Sequence, residues 1–138
     1  MTRQELFDLF VETSKNGGFP SGKPEPHCDD GYSCLYRTED GKKCLIGLLI
    51  DDQDYNSNLE NLTPSHDEIW ERIKNKIPYI QHKDHLRSLQ CIHDKLARRM
   101  FLYKEPWDHE EFVRQLSQHF IFKNIIQSTC TTQNSQPV

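Results

Sequence analysis

The sequence predicts a mainly α domain: a small bundle of about four to five helices with one short β-hairpin. Three observations lead there. Four segments carry an apolar stripe at helical spacing, three of them opened by a helix-capping residue. A single Asp-Gly turn separates two apolar runs in the first half of the chain. The chain has 138 residues, 35% of them hydrophobic and 10% aromatic, enough for one core with polar tails. Each amphipathic helix needs a neighbour to cover its stripe, so a bundle is the simplest architecture.

The first helix is signalled by Thr2 and Glu5, a capping box in which each side chain satisfies a backbone N–H at the other position. Leu6, Phe7, Leu9, Phe10 and Val11 supply its stripe, and Asn16-Gly17-Gly18 ends it. Residues 17–31 read as a loop, because their Pro and Gly density blocks helix and ladder hydrogen bonds alike. Tyr32 to Arg37 reads as a strand turning at Glu39-Asp40-Gly41. The return segment, Lys42 to Ile50, fits a buried strand or a short buried helix, and periodicity does not arbitrate so short a run.

Three helices follow. Ser65 and Glu68 form a second capping box, ahead of Ile69, Trp70, Ile73 and Ile77 and a stop at Pro78. Leu86, Leu89, His93, Leu96 and Met100 recur at steps of three and four along one face of a longer helix. After Pro106, Asp108 caps a last helix with Glu111 three residues on and a stripe of Phe112, Val113, Leu116 and Phe120. This gives one compact helical domain over residues 1–127. The polar tail, 128–138, has too little apolar surface to order itself.

Composition bounds the function. Net charge is −4 and the pI about 5.9, so the chain lacks the basic balance of a general nucleic-acid binder. No apolar run is long enough to span a bilayer, and the N-terminus lacks a signal-peptide core. A cytoplasmic location is expected, where thiols stay reduced; an odd five cysteines argues against a secreted disulfide framework. The Asn61-Leu62-Thr63 sequon is then inert.

Cys34 to Asp52 carries the most information. Two cysteines flank the Glu-Asp-Gly turn, and the second opens an apolar run that stops at two aspartates. Cys34, Cys44, Cys91 and His93 have the ligand types of a zinc site. Their spacing argues against one: nine residues separate the first two, and Cys91 and His93 stand two apart on a predicted helix, facing different ways. Cys44 at a helix N-terminus is a candidate nucleophile, with His93 as base and Asp94 or Asp52 as orienter. The bland alternative is a packed thiol and a core histidine. Asp51, Asp52, Asp54, Asn56, Asn58 and Glu60 resemble a calcium loop, but Ser57 and Thr63 stand where glycine and glutamate are needed, so an acidic solvated loop is the better reading. Arg98 and Arg99, with Arg87, Lys95 and Lys104, make a basic patch on the long helix, suited to an acidic partner or to plain solvation.

The pattern Cys-x-Tyr-Arg, then Asp-Gly-x-Lys-Cys-x-Ile-Gly-x-Leu-Ile with acidic residues and Tyr55 after it, resembles a group of short bacterial and phage-encoded proteins. Leu89-Gln90-Cys91-Ile92-His93-Asp94 is similar to a second motif of that group, Leu-Gln-x-x-His-Asp. The matching positions are Tyr36, Arg37, Gly41, Cys44, Gly47, Ile50, Asp52, His93 and Asp94. This chain departs in having Asp51 where a proline often stands, and in its longer tail. The group has no settled activity. The resemblance implies a phage or prophage origin and contact between the two motifs, but no mechanism.

The leading expectation is therefore a small cytoplasmic module that binds or inhibits another protein and uses no cofactor, nucleic acid or membrane. Arg37, Asp52 and Tyr55 are its candidate binding residues. Arg37 is expected to pair with Asp52 or Asp94. A cysteine-dependent enzyme built on Cys44 and His93, and a zinc-stabilised domain, are the alternatives.

Overall fold

Helix α1, Arg3–Lys15, begins where the sequence places it. Thr2 caps it, and the capping box with Glu5 is complete in both directions. The structure, a computed structural model, describes residues 1–16, the backbone of 22–24 and 32–34, and residues 35–123. Most of the expected loop 17–31 and the whole expected tail 128–138 lie outside the described residues. The remaining helices are α2 (Leu45–Leu49), α3 (Asp67–Ile73), α4 (Asp84–Tyr103) and α5 (His109–Gln118). Short 3-10 turns at Asp52–Asp54, Ser57–Asn61 and Lys74–Lys76 link them. The fold is mainly helical, and no described helix is long and apolar enough to cross a membrane.

The hairpin expected around Glu39-Asp40-Gly41 is not formed. The turn itself is there: Gly41 takes φ 87°, and Thr38 N–H donates to the Lys42 carbonyl at 2.9 Å. Only one bridge, Arg37 with Lys43, follows it before the chain turns helical. The two short strands, β1 (Gly22–Pro24) and β2 (Tyr32–Cys34), pair with each other instead. Cys44 caps α2 and Gly47 lies so close to Tyr36 that a Cβ there would stand 2.0 Å from the Tyr36 carbonyl oxygen. That close approach settles the ambiguous segment as a helix pressed onto the preceding chain.

Two boundaries differ from expectation. The cap of α3 is His66 rather than Ser65, its Nδ1 accepting from Glu68 N–H at 3.1 Å. Helix α5 is capped by Asp108 as expected, but it ends at Gln118. Phe120 therefore falls off the apolar stripe and is 54% exposed, while Ile121 and Phe122 turn inward. Phe122 packs edge-on against Phe7 and Phe10, closing α1 against the segment after α5.

The core is centred on the run from Cys44 to Ile50. Cys44, Leu45 and Ile46 are fully buried, and Leu49 and Ile50 nearly so. Helix α2 packs on α4, whose buried face presents Leu86, Leu89, Gln90, His93, Leu96 and Ala97. Burying each Leu or Ile side chain is worth roughly 1.5–3 kcal/mol, so this contact is a main source of stability.

Candidate functional site: a polar latch between the two motifs

The two sequence motifs meet through Gln90. Its Oε1 accepts from Ile46 N–H at 3.3 Å, satisfying a donor in the first turn of α2 that has no partner within that helix. Beside it, the Cys44 sulfur accepts from Gly47 N–H at 3.3 Å. The other end of Gln90 donates through Nε2 to Asp94 Oδ1 at 2.8 Å, and the same oxygen lies 2.9 Å from His93 Nδ1. A bare ring nitrogen would repel that carboxylate, so the geometry places the proton on Nδ1. The 3.3 Å approach of Gln90 Nε2 to His93 Nδ1 is then a contact between two donors rather than a hydrogen bond.

Cys44 and His93 are both 0% exposed. Burial, chiefly, pushes the Cys44 thiol up to about 12, with the Asp94 charge adding to the shift and the Gly47 N–H opposing it. The thiol is therefore neutral at physiological pH, the reverse of an activated nucleophile. The cleft next to it measures about 130 Å³ and is lined by Tyr36, Cys44, Glu60, Leu62, Gln90 and Asp94. That falls short of the roughly 300–1,000 Å³ typical of small-molecule sites. A larger hollow of about 670 Å³, over Leu35, Arg37, Glu39, Asp40, Ser57 and Asn61, has neither thiol nor imidazole among its described lining residues.

The zinc candidates separate. Cys44 is buried, Cys91 is exposed on the far side of α4, and the Cys34 side chain lies outside the described residues. Among the described residues no group of three His, Cys, Asp or Glu side chains converges in a way that could hold a metal.

Arg37, Asp52 and Tyr55 do come together. Arg37 Nη1 donates to Asp52 Oδ1 at 2.7 Å, and Nη2 donates to the Ile50 carbonyl at 2.5 Å. Its guanidinium carbon stands 4.6 Å from the centre of the Tyr55 ring. Asp52 is thus the partner of Arg37, while Asp94 serves α4. The guanidinium fork is divided between a carboxylate and the C-terminal carbonyl of α2, so Arg37 also holds the end of that helix. The Arg37 side chain is 15% exposed and that of Asp52 84%, so the carboxylate half of the clamp is in water.

Glu60, which reads in the sequence as part of a solvated acidic loop, completes the arrangement. It accepts from Tyr36 N–H at 2.8 Å, Arg37 N–H at 3.1 Å and Tyr55 O–H at 2.6 Å. Tyr55 is pushed up to about 12, first by burial and then by its bond to Glu60, so it stays a donor. Two more side chains of that loop are engaged: Asp51 pairs with Lys76, and Asn56 Oδ1 caps the next turn by accepting from Asn58 N–H. Asp51, Asp52, Asn56 and Glu60 of the calcium-like pattern are thus each held by a different partner.

Comparison with known proteins finds no matching family model, curated protein or solved structure.

Proposed function

We propose that this chain is a small protein-interaction or inhibitor module of the cytoplasm, binding rather than catalytic. One observation carries the reading: Cys44 and His93, the pair that would do chemistry, are both fully buried and serve as structural groups. Arg37, Gln90, Asp94 and Glu60 likewise hold backbone or each other in place. Motifs used inward leave the outer surface for recognition. The motif resemblance to short bacterial and phage-encoded proteins supports a phage or prophage setting.

The test is isolation of the full chain, tagged, from its native cell, followed by sizing in an analytical ultracentrifuge. A stoichiometric complex with another protein is expected. A free chain, together with a Cys44 thiol that reacts faster than an ordinary cysteine, would replace this reading with the cysteine-dependent enzyme.

A further inference from the structure

Resting on the interaction-module reading, we propose that the solvent face of α4 is its docking surface, and that the occupant is an acidic segment of a partner protein. Arg87, Cys91 and Lys95 are spaced by four residues and, with Arg98, lie on one side of the helix, opposite Leu89, His93 and Leu96. All four are exposed. Arg87 to Lys95 covers about 12 Å of helix axis. Arg99 is exposed on the flank, near enough to Glu111 of α5 to help lower that carboxyl.

Charge makes this face unlike the rest of the molecule. The chain is net −4, yet the span from Arg87 to Lys104 contains five cations and a single acid, Asp94, which is bonded to Gln90 and His93. Several surface cations elsewhere have acidic neighbours: Lys74 with Glu71, Lys76 with Asp51, Lys83 with Asp67, Arg114 with Glu111. Among the described residues, neither Arg87 nor Lys95 has an ion-pair partner. A solvated helix normally interleaves signs at i,i+4, because like charges at that spacing repel. Lys95 instead has Arg99 at i+4. An acidic segment laid along the stripe would relieve that repulsion, and the thiol of Cys91 and the partly buried Leu102 offer it apolar contact. The acidic remainder of the chain disfavours a long polyanion such as nucleic acid, which would meet like charge on either side.

The experiment uses the full chain, a fluorescent Glu-rich peptide, the same peptide with Lys for Glu, and a short DNA duplex, read by anisotropy. The Glu peptide is expected to bind, with affinity falling as salt rises. Arg87→Glu/Lys95→Glu should weaken it by about tenfold or more, and Arg87→Gln/Lys95→Gln by less. Melting curves matching the parent confirm that the variants fold. Binding of the Lys peptide, tighter binding of the duplex, or no binding of the Glu peptide overturns the proposal. The native complex separates the two readings: survival of that complex in the double charge reversal removes this surface and leaves the interaction module standing, whereas absence of any complex removes the module itself.

Discussion

The side-chain oxygen of Gln90 accepts the backbone N–H of Ile46, joining α4 to the first turn of α2 across 44 residues of sequence. Both groups are buried, so water cannot replace either one. Gln90→Leu should therefore destabilise the protein by about 1–3 kcal/mol, the cost of stranding a buried N–H and loosening Asp94. Urea unfolding followed by circular dichroism measures it. A loss below about 0.5 kcal/mol would mean that the bond is not made in solution.

The two partners of the Arg37 clamp are expected to respond unequally. Arg37→Ala removes the bond to the Ile50 carbonyl, the Asp52 pair and the stacking on Tyr55, and should cost about 1–3 kcal/mol. Asp52→Asn removes only an exposed charge and should cost about 0–1 kcal/mol. Thermal melts of the two variants side by side check the asymmetry; equal effects would contradict it.

Gly47→Ala places a methyl 2.0 Å from the Tyr36 carbonyl oxygen, a backbone atom that cannot swing away. The expected loss is at the upper end of overpacking, about 3 kcal/mol or more, with little folded protein recovered. Gly41→Ala, where there is open space but φ is 87°, should cost less, about 1 kcal/mol. Soluble yield and melting temperature rank the two.

The Cys44 thiol, held near 12 by burial, should alkylate in the folded protein far more slowly than the exposed Cys91. Mass spectrometry of a timed reaction at neutral pH, with a denatured control in which both react, gives the ratio. Equal rates in the folded state would mean that the segment opens or that the thiol is activated.

His119 gives the chain an acid sensitivity. Its ring stacks on Phe120 at 4.4 Å, and its Nε2 is buried without a hydrogen-bond partner. Burial, then the neighbouring His85, lowers it to about 4. The unfolded value is about 6.5, so between about 4 and 6.5 the unfolded chain binds the extra proton. The stabilisation is complete above that window and is lost as pH falls through it. The ring is partly exposed, so the contribution is about 1 kcal/mol after screening. The difference in melting temperature between wild type and His119→Gln, followed from pH 7 to pH 4, isolates it. A difference that does not change with pH would contradict the burial.

Much of this was legible in the residues. Thr2, Glu5 and Asp108 announce helix starts because capping is local chemistry between groups three residues apart. The burial of Cys44 to Ile50 follows from an apolar run bounded by charge. The hairpin failed because the Asp-Gly turn reports only on itself. What decides the next segment is the contact of Gly47 with Tyr36, which no period shows. His66 took the cap from Ser65 because several residue types can accept at that position. Glu60 was hidden for a related reason: an acidic side chain in a polar loop looks solvated until its three donors, Tyr36, Arg37 and Tyr55, are in view. Gln90 carried one signal, its place on the buried face of α4 within the second motif, where an amide needs partners.

Amide hydrogen exchange at Ile46 tests most directly the central claim, that the two motifs form a structural latch. In the wild-type chain this N–H should exchange only with global unfolding, because Gln90 covers it. In Gln90→Leu it should exchange about tenfold faster or more, while amides on the buried side of α1 keep pace with overall stability. Rapid exchange of Ile46 in the wild type, or protection unchanged by loss of Gln90, would contradict the latch.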